Sequence, residues 1–298
     1  MENMDSGSGA VAERADNIDL DICVVIGRPR SGTTVFEAML DSHPQIFCMG
    51  EILNEQNEET YFNFLKKVAA RDPGIVLPSR SIPAFKENLS HCAVYARSVK
   101  PTCKVLILNV KYEQTHLVTE AFWQVSELPR LFRLIYVSQW RVIDIRRKDI
   151  LALIVSNCVA IETNIYHSTD LQPGQLQRAT VRIGRDLLEG ELRRTSLAYR
   201  RVGQFFSDYS RYRRIPYEDM FEPDEPHSFR AELLQNISAF LGVENRFDPV
   251  PRLQKILNDD VFSYVENASE VRSIYRNWER QSSFLRRFRD LFRRARTD

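Results

Sequence analysis

The 298-residue chain has no excess of charge of either sign, no long apolar run and no closely spaced cysteine pair. Lys+Arg number 41 against Asp+Glu 40. A nucleic acid is held mainly by positive charge set against its phosphates, so no nucleic-acid partner is expected. No stretch approaches the roughly 20 apolar residues that a membrane-spanning helix needs. The five cysteines, Cys23, Cys48, Cys92, Cys103 and Cys158, are scattered, odd in number and never in C-x-x-C spacing. That argues against a zinc site and a disulfide framework. Reduced thiols in a cytoplasmic protein are the expectation. H-E-x-x-H and carboxylates at ligand spacing are missing as well, so no metal is expected. Residues 1–18, rich in Ser, Gly and charge, read as a flexible leader; they lack the basic and apolar regions of a signal peptide.

What is present is an alternation of apolar runs with helical patterns. Ile22–Ile26, Val105–Val110, Arg141–Ile145 and Arg214–Tyr217 read as strands. Helices are expected over 35–40, 61–70, 122–137, 149–162, 176–212 and 228–241, the last ending at Gly242. Strands alternating with helices imply an α/β fold of P-loop type, three layers with a central parallel sheet flanked by helices. One domain over 19–279 is the economical reading, followed by a basic amphipathic helix over 280–298.

The most informative segment is Gly27-Arg28-Pro29-Arg30-Ser31-Gly32-Thr33-Thr34, between an apolar strand and a helix. Backbone N–H groups converge at such a helix start, and the helix dipole favours an anion there. The glycines fit the NTPase pattern G-x-x-x-x-G-K-[ST], but Thr33 stands where that pattern has lysine. The positive charge sits inside the loop instead, at Arg30 and Arg28. Such a cradle suits one 5′ phosphate carrying a transferable group better than a triphosphate with its Mg²⁺.

The run P-R-S-G-T-T resembles the 5′-phosphosulfate loop of sulfotransferases that use 3′-phosphoadenosine 5′-phosphosulfate (PAPS). The resemblance implies PAPS as co-substrate, the desulfated nucleotide PAP as product, and a catalytic role for Arg30 on the leaving phosphate. It implies that Ser31, Gly32, Thr33 and Thr34, with Arg28 beside them, hold the 5′-phosphosulfate. A strand running into Arg146-Arg147-Lys148, with Ser156 on the following helix, is similar to the family's 3′-phosphate motif. The closest likeness is to bacterial enzymes acting on glycolipids and Nod factors. Asn109–Gln114, Ile215–Met220, and Arg252–Lys255 with Val265–Val271 after it resemble later elements of that branch, with Lys255 a cofactor candidate.

An alcohol must lose its proton as it attacks sulfur, which calls for a general base. Glu51 stands where the resemblance places a base; His43 is the rival and His116 a more distant third. The acceptor is expected to be a small molecule, natural product or glycan. The glutamates of Glu51–Glu59 favour a neutral or cationic one if they line its entrance. The tail Ser283–Asp298 carries six arginines with Phe284, Phe288, Leu291 and Phe292 on one face. It fits packing on its own domain, homodimer pairing or peripheral membrane contact. Two other classes fit the loop: an ATPase or kinase with a degenerate loop, and a catalytically inactive PAPS-binding module.

Overall fold

The structure, a computed structural model, describes residues 18–54, 60–76, 81–118, 129–166, 180–225, 228–250 and 260–294, with side chains described up to residue 281. In chain order the strands and α-helices are β1 (Asp21–Gly27), α1 (Thr33–Asp41), β2 (Ile46–Glu51), α2 (Tyr61–Ala69), α3 (Ser81–Val99), β3 (Val105–Lys111), α4 (Arg130–Val137), β4 (Arg141–Arg146), α5 (Ile150–Thr163), α6 (Arg185–Phe205), β5 (Tyr212–Pro216), α7 (Ala231–Leu241) and α8 (Ala268–Arg294). Contacts group the chain into two compact units: Met1–Arg147 with Phe206–Arg252, and Lys148–Phe205 with Leu253–Asp298.

The first unit is organised by a five-stranded parallel sheet in the order β2-β3-β1-β4-β5, as the alternation of elements implies. Every residue of β3 is buried, and so are all of β1 except Asp21. Strands covered on both faces demand such unbroken apolar runs. On one face Cys23, Val25, Ile107 and Ile143 pack against Phe36, Met39 and Leu40 of α1 and Ile237 and Leu241 of α7. Truncating one of these α1 side chains costs about 2–5 kcal/mol.

The register aligns the carboxyl ends of the strands. Gly27 lies beside Lys111 on one side and beside Ile145 on the other. Glu51 pairs with Asn109 after an irregularity between Cys48 and Glu51, where Gly50 takes φ 68°. The connection from β1 runs past β3 to β2, whereas that from β3 crosses β1 to β4, and ligands of open α/β sheets bind at the carboxyl edge of such a switch point.

The second unit is helical. Residues of α5, α6 and α8, among them Leu151, Val155, Leu188, Leu192, Val271 and Ile274, form its core. Its late segment is tied in by Asn267, whose Oδ1 accepts from the Ile183 N–H at 3.1 Å while its Nδ2 donates to the Ile183 carbonyl at 2.9 Å. Within Val265–Val271, the described part of the late resembling element, Asn267 thus clamps Ile183 next to the parallel bridge between Val181 and Val265. The basic tail expected from 280 continues α8, which begins at Ala268 and runs unbroken to Arg294. Among the described residues no helix is long and apolar enough to cross a membrane.

Candidate active site

The loop between β1 and α1 is shaped for close approach of an anion. Arg30 takes φ 65° and Gly32 φ 92°, conformations that cost a non-glycine residue free energy unless the surroundings impose them. Gly32 caps α1 with no side-chain hydrogen bond, and the first turn carries no acidic residue. The helix therefore starts with an unneutralised positive dipole end and without side-chain help for its N–H groups.

Packing leaves no room for other residues at the glycines. A Cβ on Gly32 would lie 2.4 Å from Cδ2 of Tyr217, and one on Gly27 would lie 2.6 Å from Ser31 Oγ and 2.9 Å from the Ile145 carbonyl. Ser31 is fully buried, and its hydroxyl has no hydrogen-bond partner. A buried orphan hydroxyl is expensive, and here it sits in a cradle already suited to a phosphate. The residues present therefore fit a 5′ phosphate group.

Arg28 is buried, with Nε 2.6 Å from Glu113 Oε1 in the turn after β3. Arg30 and Thr34 are half-buried, and Thr33 is buried. Thr33 Oγ1 accepts from Lys111 Nζ at 2.5 Å. Lys111 is 4% exposed, and its ammonium also donates to Asn109 Oδ1 at 3.0 Å and lies 3.1 Å from Glu51 Oε1. Position 33 holds no lysine, yet a lysine from β3 reaches it through space.

Glu51 is thereby tied to the loop by one intervening side chain; its other oxygen accepts from Asn54 Nδ2 at 3.4 Å. Behind it lies Glu37, on the buried face of α1, whose Oε2 accepts from Asn109 Nδ2 at 2.5 Å. Burial pushes the Glu37 carboxyl up to about 7; the Lys111 ammonium and the Asn109 hydrogen bond oppose the rise.

His43 lies apart from this cluster. It is buried, its Nδ1 accepts from the Gln45 N–H at 3.1 Å, and Nε2 is 3.0 Å from the Glu244 carbonyl. Phe247 packs on its ring. Burial lowers its pKa; Nδ1 braces the α1–β2 turn from within, and Nε2 ties that turn to Glu244. His116 lies in the turn after β3.

The paired arginines at the end of β4 have different surroundings. Arg146 donates from Nε to Asp144 Oδ2 at 2.8 Å, with Nη2 at 2.6 Å from the same oxygen and 3.2 Å from Tyr212 Oη. Asp144 is fully buried and also accepts from Tyr212 Oη at 2.5 Å and from Tyr112 Oη. The neighbouring carboxylate holds the Arg146 guanidinium more firmly in its charged form, against the effect of burial. Arg147 is half-buried, with its guanidinium 5.1 Å from the centroid of the Tyr217 ring. That ring is the one packed on Gly32.

The structure thus brings Arg28, Arg30, Ser31, Gly32, Thr33, Thr34 and Glu51 to one edge of the first unit. Ser156 lies buried on α5 of the second unit, and Lys255 falls outside the described residues. Lys111, Asn109, Glu37 and Tyr217 complete the cluster, although the sequence reading assigned none of them a site role. Among the described residues no group of three or more His, Cys, Asp or Glu is placed to hold a metal ion.

The sequence pattern of the "Sulfotransferase family" matches residues 23–248. No curated protein matches the chain. Among solved structures, the chain is similar to a sulfotransferase from Alicyclobacillus acidocaldarius, with 13% identity and a TM-score of 0.42 over 80% of this chain and 87% of the other. It is also similar to sulfotransferase STF9 from Mycobacterium avium, with 14% identity and a TM-score of 0.44 over 90% and 78% of the two chains.

Proposed function

Since the chain belongs to the sulfotransferase family, we propose that it transfers a sulfuryl group from PAPS to a hydroxyl of a small-molecule, glycolipid or carbohydrate acceptor. The observation that carries this reading is the junction at Lys111, where one buried ammonium touches both Thr33 of the phosphate loop and Glu51. A site for sulfuryl transfer needs an anion cradle and a base held within a few ångströms of each other, with positive charge between them.

PAPS supplies a sulfuryl group already attached to a phosphate leaving group. The Ser31 hydroxyl and the N–H groups at the start of α1 would donate to the 5′ phosphate. Arg30 would balance the charge that grows on that phosphate as its bond to sulfur breaks. Glu51 would take the proton of the acceptor hydroxyl as the new oxygen–sulfur bond forms, so that the sulfate ester and PAP leave and the proton rests on Glu51. Lys111 would stabilise the charge shared between entering and leaving oxygens. For the 3′ phosphate, Arg147 is the better candidate of the pair, because Arg146 is bonded to a buried aspartate and Arg147 flanks the ring that covers Gly32.

A thermal-shift titration tests the donor. PAP at about 100 times its dissociation constant should add roughly 2.7 kcal/mol of stability, and Mg·ATP at the same concentration should add little. Arg30→Ala should slow PAPS turnover by orders of magnitude; a stronger response to Mg·ATP than to PAP would return the chain to the ATPase reading.

A further inference from the structure

We propose that Glu37 is a positioning residue for the transfer step, acting through Asn109 to fix the Lys111 ammonium between the phosphate loop and Glu51; the inference rests on the sulfotransferase reading above. The geometry is a continuous relay. Glu37 Oε2 accepts from Asn109 Nδ2 at 2.5 Å, Asn109 Oδ1 accepts from Lys111 Nζ at 3.0 Å, and Lys111 Nζ reaches Thr33 Oγ1 at 2.5 Å and Glu51 Oε1 at 3.1 Å. An amide can satisfy both neighbours in one orientation only, with its NH₂ toward a carboxyl acceptor and its oxygen toward an ammonium donor. Glu37 therefore sets which way Asn109 points, and Asn109 sets where Lys111 sits. The other Glu37 oxygen is buried without a hydrogen-bond partner, so this carboxyl does not serve as an ordinary packing anchor with its polar atoms satisfied.

Charge makes the relay sensitive to protonation. The groups facing Glu37 are Lys111 and Asn109 from β3, Glu51 and Cys48 from β2, and Asp41 from its own helix. With Glu37 neutral, the Lys111–Glu51 pair carries no net charge, and an anionic donor can approach the loop. Loss of the Glu37 proton adds a negative charge beside the ammonium in a buried setting, where little solvent screens it. Lys111 is then drawn toward two carboxylates and away from the oxygens on which charge develops during transfer. Burial places that titration near neutrality.

The test is the pH dependence of ³⁵S transfer from PAPS to a panel of hydroxylated acceptors between pH 6 and 9, for wild type, Glu37→Gln and Glu37→Leu. Wild-type kcat should fall above about pH 7, approaching tenfold per pH unit. Glutamine can still accept from Asn109 but does not titrate, so the fall should disappear in Glu37→Gln. Leucine leaves Asn109 without its acceptor, and kcat should drop at least tenfold at every pH while KM for PAPS changes less. A purely structural role would lower stability without moving the pH profile. The proposal is overturned if Glu37→Gln keeps the wild-type fall, a readout that holds even if the leucine variant does not fold. Wild type that transfers nothing to any acceptor removes the sulfotransferase reading instead, which separates the two failures.

Discussion

Arg146 and Arg147 are adjacent in sequence and indistinguishable as sequence candidates, yet the structure predicts opposite phenotypes for them. Arg146 faces Asp144, which is fully buried and accepts from that guanidinium and two tyrosine hydroxyls. Replacing Arg146 by methionine keeps the bulk of the side chain but strands a buried carboxylate. Breaking one partner of a buried pair costs about 3–5 kcal/mol. At a urea m-value of about 2–3 kcal/mol/M this is a fall of roughly 1–2.5 M in midpoint. Asp144→Asn should cost a similar amount. The double variant should be more stable than the sum of the two losses implies, by about 1–3 kcal/mol of coupling. Arg147 is half-buried, and its contact with the Tyr217 ring is a cation–π interaction worth about 0.5–1 kcal/mol, so Arg147→Met should move the midpoint less than Arg146→Met. Its PAP affinity should fall at least tenfold, the loss expected when a charge-assisted bond worth roughly 1.5–3 kcal/mol is removed. Urea unfolding and calorimetric PAP titration on the same two variants decide the matter. Normal stability with lost PAP binding in Arg146→Met would refute the assignment.

Three further predictions follow from the loop and its surroundings. Ser31→Ala removes an unpartnered buried hydroxyl, so the ligand-free protein should be as stable or slightly more stable while PAP affinity falls by about 1–2 kcal/mol; equal losses in both would make Ser31 a scaffold residue. Gly32→Ala must hold φ 92° and push its Cβ into the Tyr217 ring, so it should destabilise by about 1–3 kcal/mol and weaken PAP binding, and a neutral outcome on urea unfolding would contradict the geometry. Glu37 has its folded-state pKa raised from 4.5 to about 7, so the folded protein binds the extra proton between those values and stability falls as pH rises through that window. Glu37→Gln escapes the penalty, and its stability relative to wild type should rise by about 3 kcal/mol from pH 4.5 to above 7, whereas a pH-independent difference would show that Glu37 does not hold its proton.

Much of the fold was legible because it rests on local patterns. The apolar runs at Ile22–Ile26 and Val105–Val110 lie within β1 and β3, and the glycine-rich turn between strand and helix marks the loop in the sequence itself. β2 was not anticipated. Ile46-Phe47-Cys48-Met49-Gly50-Glu51 has one β-branched residue and a bulge at Gly50, so it lacks both the composition and the period of a strand. α3 also escaped notice. It packs through small and mixed residues such as Ala84, Asn88, Cys92 and Ala96, a face that no hydrophobic period announces.

The site was legible where the chain is contiguous and hidden where it depends on register. Arg30, Ser31, Thr33 and Glu51 were named from their motif. Lys111 was read only as part of a resembling segment, because its place beside Gly27 comes from the pairing of β1 with β3. Glu37 reads in sequence as an ordinary helix glutamate; only packing shows it buried against Asn109. The split between Arg146 and Arg147 depends on Asp144 being buried beside Arg146, and because all four residues Val142–Ile145 are buried, no alternation in the sequence reveals it.

The central claim is that one buried lysine joins an anion-binding loop to a base so that a sulfuryl group can pass between them. Incubation of the wild-type chain with ³⁵S-labelled PAPS and hydroxylated acceptors measures it directly, with Glu51→Gln as the paired control. The account predicts label in an acceptor, one PAP formed per sulfate ester, and loss of transfer in Glu51→Gln with PAP affinity nearly retained. Intact PAPS with every acceptor, or undiminished transfer in Glu51→Gln, would contradict it.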